Sequence, residues 1–136
     1  MEDRYLSKAK RISDGEWVVG YVVKYGYTRK EKYYIVPDYA SDLYAIEVDP
    51  STLCQCTGLK DKNSKLIWEN DIIECKDGKR NFQTQIEWDA YCAGFIFQDT
   101  ETSAVGLDAI TANGLYSESK VIGNIFDNKD LLESEE

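Results

Sequence analysis

Residues 57–73 constrain this chain more than any other stretch. They read Thr57-Gly58-Leu59-Lys60-Asp61-Lys62-Asn63-Ser64-Lys65-Leu66-Ile67-Trp68-Glu69-Asn70-Asp71-Ile72-Ile73. Two short apolar runs flank a charged turn, and a three-residue polar corner opens a third run. The segment predicts strand, turn, strand, corner, strand.

The rest of the chain follows the same grammar. Trp17 to Tyr25 is β-branched and aromatic and predicts a strand. Gly26 to Lys32 reads as its loop, and Lys32 to Val36 as its partner, stopped by Pro37-Asp38. Tyr44 to Val48 is a further short run. Asp49-Pro50-Ser51-Thr52 breaks it, because Pro50 pushes Asp49 out of helical geometry. That break predicts two sub-domains, residues 1–50 and 51–136. Met1 to Asp14 reads as a lead-in or a short edge strand. Downstream, Leu53 to Leu59 alternates, with Cys54 and Cys56 on one side. Asp77-Gly78 is a strong hairpin signal. Arg80 to Asp89 places Phe82, Thr84, Ile86 and Trp88 on one face. Ala93 to Gln98 and Val121 to Phe126 predict strands. Only Glu101 to Asn113 and Lys129 to Leu132 carry helical character, a turn or so each. The fold class is therefore mainly β: an N-terminal β-hairpin region, then a small, strongly bent meander or barrel. The corner Asn70-Asp71-Ile72-Ile73 is similar to one found in SH3-like barrels.

Three motifs together resemble the YopX-like family of phage and prophage proteins. The first is the segment 57–73. The second is Gln85-Ile86-Glu87-Trp88-Asp89 with Gly94-Phe95. The third is Val121-Ile122-Gly123-Asn124-Ile125-Phe126-Asp127-Asn128-Lys129-Asp130-Leu131-Leu132. The upstream run Gly15 to Val23 and Tyr33 to Pro37 resembles the family's first part. Two positions depart from the family pattern, where Ser64 and Asn70 replace glycines. Both sites are expected to need a left-handed backbone, which Asn adopts at modest cost and Ser less readily. The resemblance implies a viral context and no defined biochemical activity.

Composition narrows the function. Sixteen Lys and Arg stand against 25 Asp and Glu, a net charge of −9. Such a surface repels phosphate backbones at long range. There is no histidine, so the usual proton carrier near neutral pH is missing. No apolar run reaches the roughly 18 residues needed to cross a bilayer, and the first fifteen residues are charged rather than signal-like. Four cysteines (Cys54, Cys56, Cys75 and Cys92) are expected to be free thiols in a bacterial cytoplasm. Their spacing is not that of a zinc ribbon, so no metal is expected. No cofactor motif is present.

The remaining candidates are binding surfaces. Lys60, Lys62, Lys65, Lys79 and Arg80 decorate two hairpin tips. Tyr25, Tyr27 and Tyr91 offer stacking faces, which together would suit single-stranded nucleic acid. Lysines on turns also serve solubility and block strand pairing. Asp61, Asp71, Glu74, Glu87 and Asp89 would suit an ion or acid–base work, but Asp61 suits a turn and Asp71 a corner cap equally. Gly58, Asn70, Asp71, Gly78 and Gly123 are read as structural turn positions. Trp17, Trp68 and Trp88 are read as core. The expectation is a non-enzymatic accessory protein that binds a host or phage protein, with the loops Lys60–Lys65 and Asp89–Gly94 as contact sites. Self-association is a further expectation. The alternatives are nucleic-acid binding through the basic tips and an acidic mimic of nucleic acid.

Overall fold

The structure is a computed structural model that describes residues 3–26, 31–38, 44–77, 80–99, 104–110 and 118–133. Among these lie twelve strands, all pairing antiparallel, a few 3-10 turns and one helical turn. The chain divides into two compact units, Met1–Cys56 and Thr57–Glu136.

In the first unit, β1 (Ser7–Lys10), β2 (Trp17–Tyr25), β3 (Lys32–Pro37) and β4 (Ile46–Val48) form a sheet in the order β4-β3-β2-β1. The lead-in strand β1 is internal rather than an edge. Its other side meets the start of β5 (Cys54–Lys60), with Ser7 opposite Gln55 and Lys8 opposite Cys54. The far end of the sheet curls back. Arg11 bridges to Val48, Ile12 N donates to Glu47 O (3.1 Å) and Asp49 N donates to Lys10 O (2.9 Å). Alternation along the strands sends Ala9, Val18, Ile35 and Val48 into one core, with Tyr33, Ile46 and Leu53 packed on it. Gly20 lies opposite Pro37, where a Cβ would sit 2.0 Å from Val36 O, so this crossing admits no larger residue. Pro50–Thr52 is a 3-10 turn, with Asp49 extended at φ −79° and ψ 112° and its carboxylate accepting from Ser51 N. The conformation expected of Asp49 before proline is observed. Thr52 is buried, and its Oγ1 accepts from Lys10 N (2.9 Å), so the segment is stitched to β1.

The second unit is a run of short strands: the end of β5, then β6 (Leu66–Trp68), β7 (Asp71–Asp77), β8 (Arg80–Gln85), β9 (Glu87–Asp89), β10 (Gly94–Gln98), β11 (Ala104–Gly106) and β12 (Lys120–Asn124). Three-stranded sheets run β12-β7-β8 and β11-β10-β9. Asp77 pairs with Arg80, so β7 and β8 form a hairpin at the expected place, with Asp77 inside the ladder rather than in the turn; Gly78 and Lys79 lie outside the described residues. Ile67, Ile73, Cys75, Phe82, Ile86, Phe97, Leu107 and Ile110 make the core. The stretch expected to be helical from Glu101 becomes β11 and a 3-10 turn, Leu107–Ile110, and the expected C-terminal turn is α1 (Asp130–Glu133).

The meander describes this unit, but a barrel does not. Among the described residues the strands stay in separate sheets. The strand expected to run from Arg80 to Asp89 is broken at Ile86. Ile86 N donates to Asp71 O (2.9 Å) and its carbonyl accepts from Asn70 N (2.8 Å). That exchange anchors Ile86 to the corner and frees β9 to join another sheet.

The β12 register shifts between Val121 and Gly123. Asn128 folds back over this bulge, where its Oδ1 accepts from Asn124 N (3.2 Å), while Asn124 Oδ1 accepts from Phe126 N and Asp127 N (2.9 Å each). A Cβ at Gly123 would lie 2.5 Å from Asn128 Oδ1 and 2.9 Å from its Cβ. Gly123→Ala is therefore expected to displace Asn128 and lower stability by about 1–3 kcal/mol, read as a drop in the urea midpoint with an unchanged slope.

Candidate functional site

The two aspartates of the central segment are engaged by the backbone. Asp61 is buried in the β5–β6 turn. Its Oδ1 accepts from Asn63 N (2.8 Å) and Lys65 N (2.9 Å), and its Oδ2 accepts from Val121 N on β12 (2.8 Å). Lys62 N donates to Ser119 O (3.2 Å) beside this bond. Asp71 is also buried, and its Oδ2 accepts from Trp68 N (2.8 Å). Neither carboxylate points into an open site. Ser64 and Asn70 have φ of 65° and 72°, so both adopt the left-handed backbone expected of them. Gly58, at φ 82°, needs it too. Asn70 ties three chain segments: its N–H reaches Ile86 O, its carbonyl accepts from Ile125 N (3.1 Å) and its Oδ1 accepts from Gln85 Nε2 (3.0 Å).

The basic candidates are only partly brought together. Lys60 and Lys65 are exposed on the β5–β6 hairpin. Lys62 pairs with Glu118 at 3.8 Å. Lys79 and the side chain of Arg80 lie outside the described residues, as does Tyr27. Charge also divides unevenly. The first unit holds eight Lys and Arg against nine Asp and Glu, a net −1; the second holds eight against sixteen, a net −8. The lysine-bearing hairpin thus belongs to the strongly acidic unit.

Among the described residues, no three of Cys, Asp and Glu gather as a metal-binding group. Cys54, Cys56 and Cys75 are buried thiols and Cys92 is exposed. Burial pushes the Cys75 thiol up to about 11; the neighbouring Ser119 hydroxyl pulls it down, and the Asp99 carboxylate adds to the rise. A thiol held neutral in this way is a core side chain, not a nucleophile.

Two surfaces offer contacts instead. One is the β9–β10 hairpin, in which Trp88 lies opposite Phe95 and their rings meet edge to face at 5.2 Å. Trp88 is 48% exposed, which corrects its assignment to the core. The break at Ile86 resets the alternation, so the residue expected to follow Ile86 inward lands outside. Tyr91 stands fully exposed at the tip. The turn beneath it is fixed by Asp89 Oδ1, which accepts from Tyr91 N (2.9 Å), and by Ala93 at φ 54°.

The other surface is the outer face of the first unit's sheet. Cross-strand register puts Val23 beside Tyr34 and Tyr21 beside Val36, on the face opposite Ile35 and the core. Trp17 shares this face, with the Lys8 and Lys10 ammoniums 4.7 and 5.4 Å from its ring centroid. A cleft of about 870 Å³ is lined here by Val23, Tyr25, Tyr34, Val36 and Tyr44. Sequence reasoning missed this surface, although β2 signals it. Trp17-Val18-Val19-Gly20-Tyr21-Val22-Val23 is apolar at both parities, and one core can cover only one of them.

Comparison with known proteins decides the family. The profile described as YopX protein matches residues 7–133, nearly the whole chain. The chain belongs to the YopX family. It is similar to the crystal structure of protein EF1440 from Enterococcus faecalis, at 23% identity and a TM-score of 0.56, over 93% of this chain and 96% of that one. At that identity the likeness shows the fold alone. No curated protein matches the chain. No helix among the described residues of this YopX-family protein is long and apolar enough to cross a membrane.

Two stability predictions follow from these buried groups. Asp61→Ala orphans three backbone N–H groups and is expected to cost about 3 kcal/mol or more in urea unfolding, while Asp61→Asn, which keeps one acceptor oxygen, costs less. For Cys75 the sign runs against alkali. Its folded value of about 11 lies above the ordinary 9.0, so the unfolded chain loses the proton first. Stability from this group is intact below pH 9 and falls between pH 9 and 11, by up to about 3 kcal/mol. Urea melts at pH 8 and 10.5 are expected to show a smaller alkaline loss in Cys75→Ala than in the wild type.

Proposed function

We propose that this YopX-family protein is a non-enzymatic accessory protein of phage or prophage origin that works in the bacterial cytoplasm by binding another protein. The observation that carries the reading is the β9–β10 hairpin. It displays Trp88 and Tyr91 on a turn braced by Asp89 and backed by the half-buried Phe95. Large aromatics on a rigid turn give contact area at low entropic cost, and Trp and Tyr dominate the energetics of protein interfaces. The viral context rests on the three family motifs. The absence of enzymatic action is supported by the acids themselves: Asp61 and Asp71 are committed to backbone N–H groups, and the chain has no histidine.

Nucleic acid is the weaker reading. Lys60 and Lys65 project from a unit of net charge −8, and Lys62 is engaged by Glu118.

Affinity capture from host cells carrying the intact phage, followed by reassembly of the complex from purified components, tests the proposal. Replacing both Trp88 and Tyr91 by Ala is expected to weaken binding by roughly 30-fold or more, the scale of a lost interface anchor, while thermal stability stays near wild type. Undiminished affinity in that variant overturns the site. Turnover of a nucleotide or peptide by rigorously purified protein overturns the reading as a whole.

A further inference from the structure

We infer that two copies of this chain pair through the open edge of β2, as an antiparallel extension of the first unit's sheet centred on Val23. The inference rests on backbone geometry and uses none of the residues of the β9–β10 hairpin, so it stands or falls separately from the proposed function.

β2 is much longer than the strand beside it. β1 covers only Trp17 to Gly20, and its last pair is Ser7 with Gly20. Leu6 still follows β1, and the chain before it leaves the strand direction. Leu6 N donates to Asp3 O in a 3-10 turn, and Leu6 O accepts from Cys56 N. On its other side β2 is paired with β3 through Tyr25. One edge from Val22 to Tyr25 therefore has no strand beside it among the described residues.

The phase of the ladder says which groups face that edge. Val19 O accepts from Asp38 N, so Val19 faces β3. Glu16 O accepts from Arg11 N, so Glu16 faces the β1 side. Backbone groups alternate along a strand, which directs the N–H and C=O of Val22 and Lys24 away from β3. The exposed residues here are Val22, Val23, Lys24 and Tyr25. A strand with an unpaired edge is a template for another strand; this stretch holds no proline and no bulge, and its one charge, Lys24, is met by Glu31 of the same chain.

The edge is complementary to itself. Antiparallel pairing about a two-fold axis at Val23 sets Val22 against Lys24 of the second copy and Lys24 against its Val22. These are hydrogen-bonded pairs, so every outward N–H and C=O on both edges finds a partner. Val23 meets Val23, a β-branched cross-strand pair. No like charges are opposed: each Lys24 faces a valine and is already paired with Glu31 of its own chain (3.1 Å). The first unit carries a net charge of only −1, so the repulsion implied by the chain's −9 is concentrated in the other unit. Shifting the register by two residues either way loses this match. One shift runs the edge into Gly20, already taken by β1, and the other opposes the two Lys24 residues.

A cross-linking comparison on the full chain tests this, in a Cys92→Ser background that removes the exposed native thiol. Val23→Cys places two thiols at a non-hydrogen-bonded pair, with Cα atoms about 4.5 Å apart, within disulfide reach. Lys24→Cys leaves them two residues out of register and beyond it. Val23→Cys is expected to give a covalent dimer under mild oxidation and Lys24→Cys none. Light scattering is expected to show a dimer that Val23→Lys returns to monomer, because the substitution puts like charges on the axis. A monomer at every concentration, a dimer indifferent to Val23→Lys, or equal cross-linking from both cysteines overturns the inference.

Discussion

The second unit depends on one buried carboxylate. Asp61 collects N–H groups from its own turn and from Val121, sixty positions away in sequence. Strands as short as β6 and β9 cannot hold themselves in place through ladder bonds alone. The polar chain therefore supplies the long-range links that a larger sheet would supply through its own width. An anion is well suited to this task. Several N–H dipoles converge on it, each bond is charge-assisted, and the desolvation cost of the carboxylate is offset by complete coordination. Asp71 at the corner and Asn128 over the Gly123 bulge repeat the device with shorter reach. The three motifs by which the sequence resembles its family are largely these clamps and the backbone they hold.

This explains why the segment identifies a fold so well and a chemistry so poorly. Its polar residues look like site residues in one dimension because Asp, Asn and Gly at fixed spacing also build metal loops and acid–base pairs. Their geometry points inward at amides. What the sequence made legible is what depends on local backbone rules: the left-handed Ser64 and Asn70, the extended Asp49 before Pro50, the existence of the β7–β8 hairpin, and the alternation that buries Cys54 and Cys56. What it concealed depends on partners distant in sequence. Ile86 fits a continuous strand on local grounds, yet its backbone pairs with Asn70 and Asp71, and this tertiary bond ends β8. The alternation restarts out of phase, and Trp88 emerges on the surface. The barrel expectation failed for the same reason, since closure depends on which strands meet across a sheet and no periodicity encodes that. The internal place of β1 was equally hidden, because a charged lead-in such as Ser7-Lys8-Ala9-Lys10 looks like an edge. Its two lysines lie on the outer face, both over Trp17, while Ala9 enters the core.

The uneven distribution of charge and aromatic surface bears on what kind of partner is reached. A long-range field of net −8 from the second unit steers against polyanions and does nothing to prevent short-range apolar contact. On the function proposed above, exposed Trp88 and Tyr91 in that same unit would serve a protein partner, whereas exposed Lys60 and Lys65 would meet nucleic acid against the unit's net charge. Lysines would act through charge, which the unit's net −8 opposes. The aromatics act through buried area, which is indifferent to sign. An acidic surround also selects among protein partners, since a basic rim around an apolar pocket would meet the hairpin faster than an acidic one. In the first unit the balance is different. With a net charge of −1, that unit carries little long-range repulsion between copies, and in the pairing inferred above geometry is what prevents open-ended stacking. An isologous pairing about Val23 uses up the edge on both chains and leaves none to propagate.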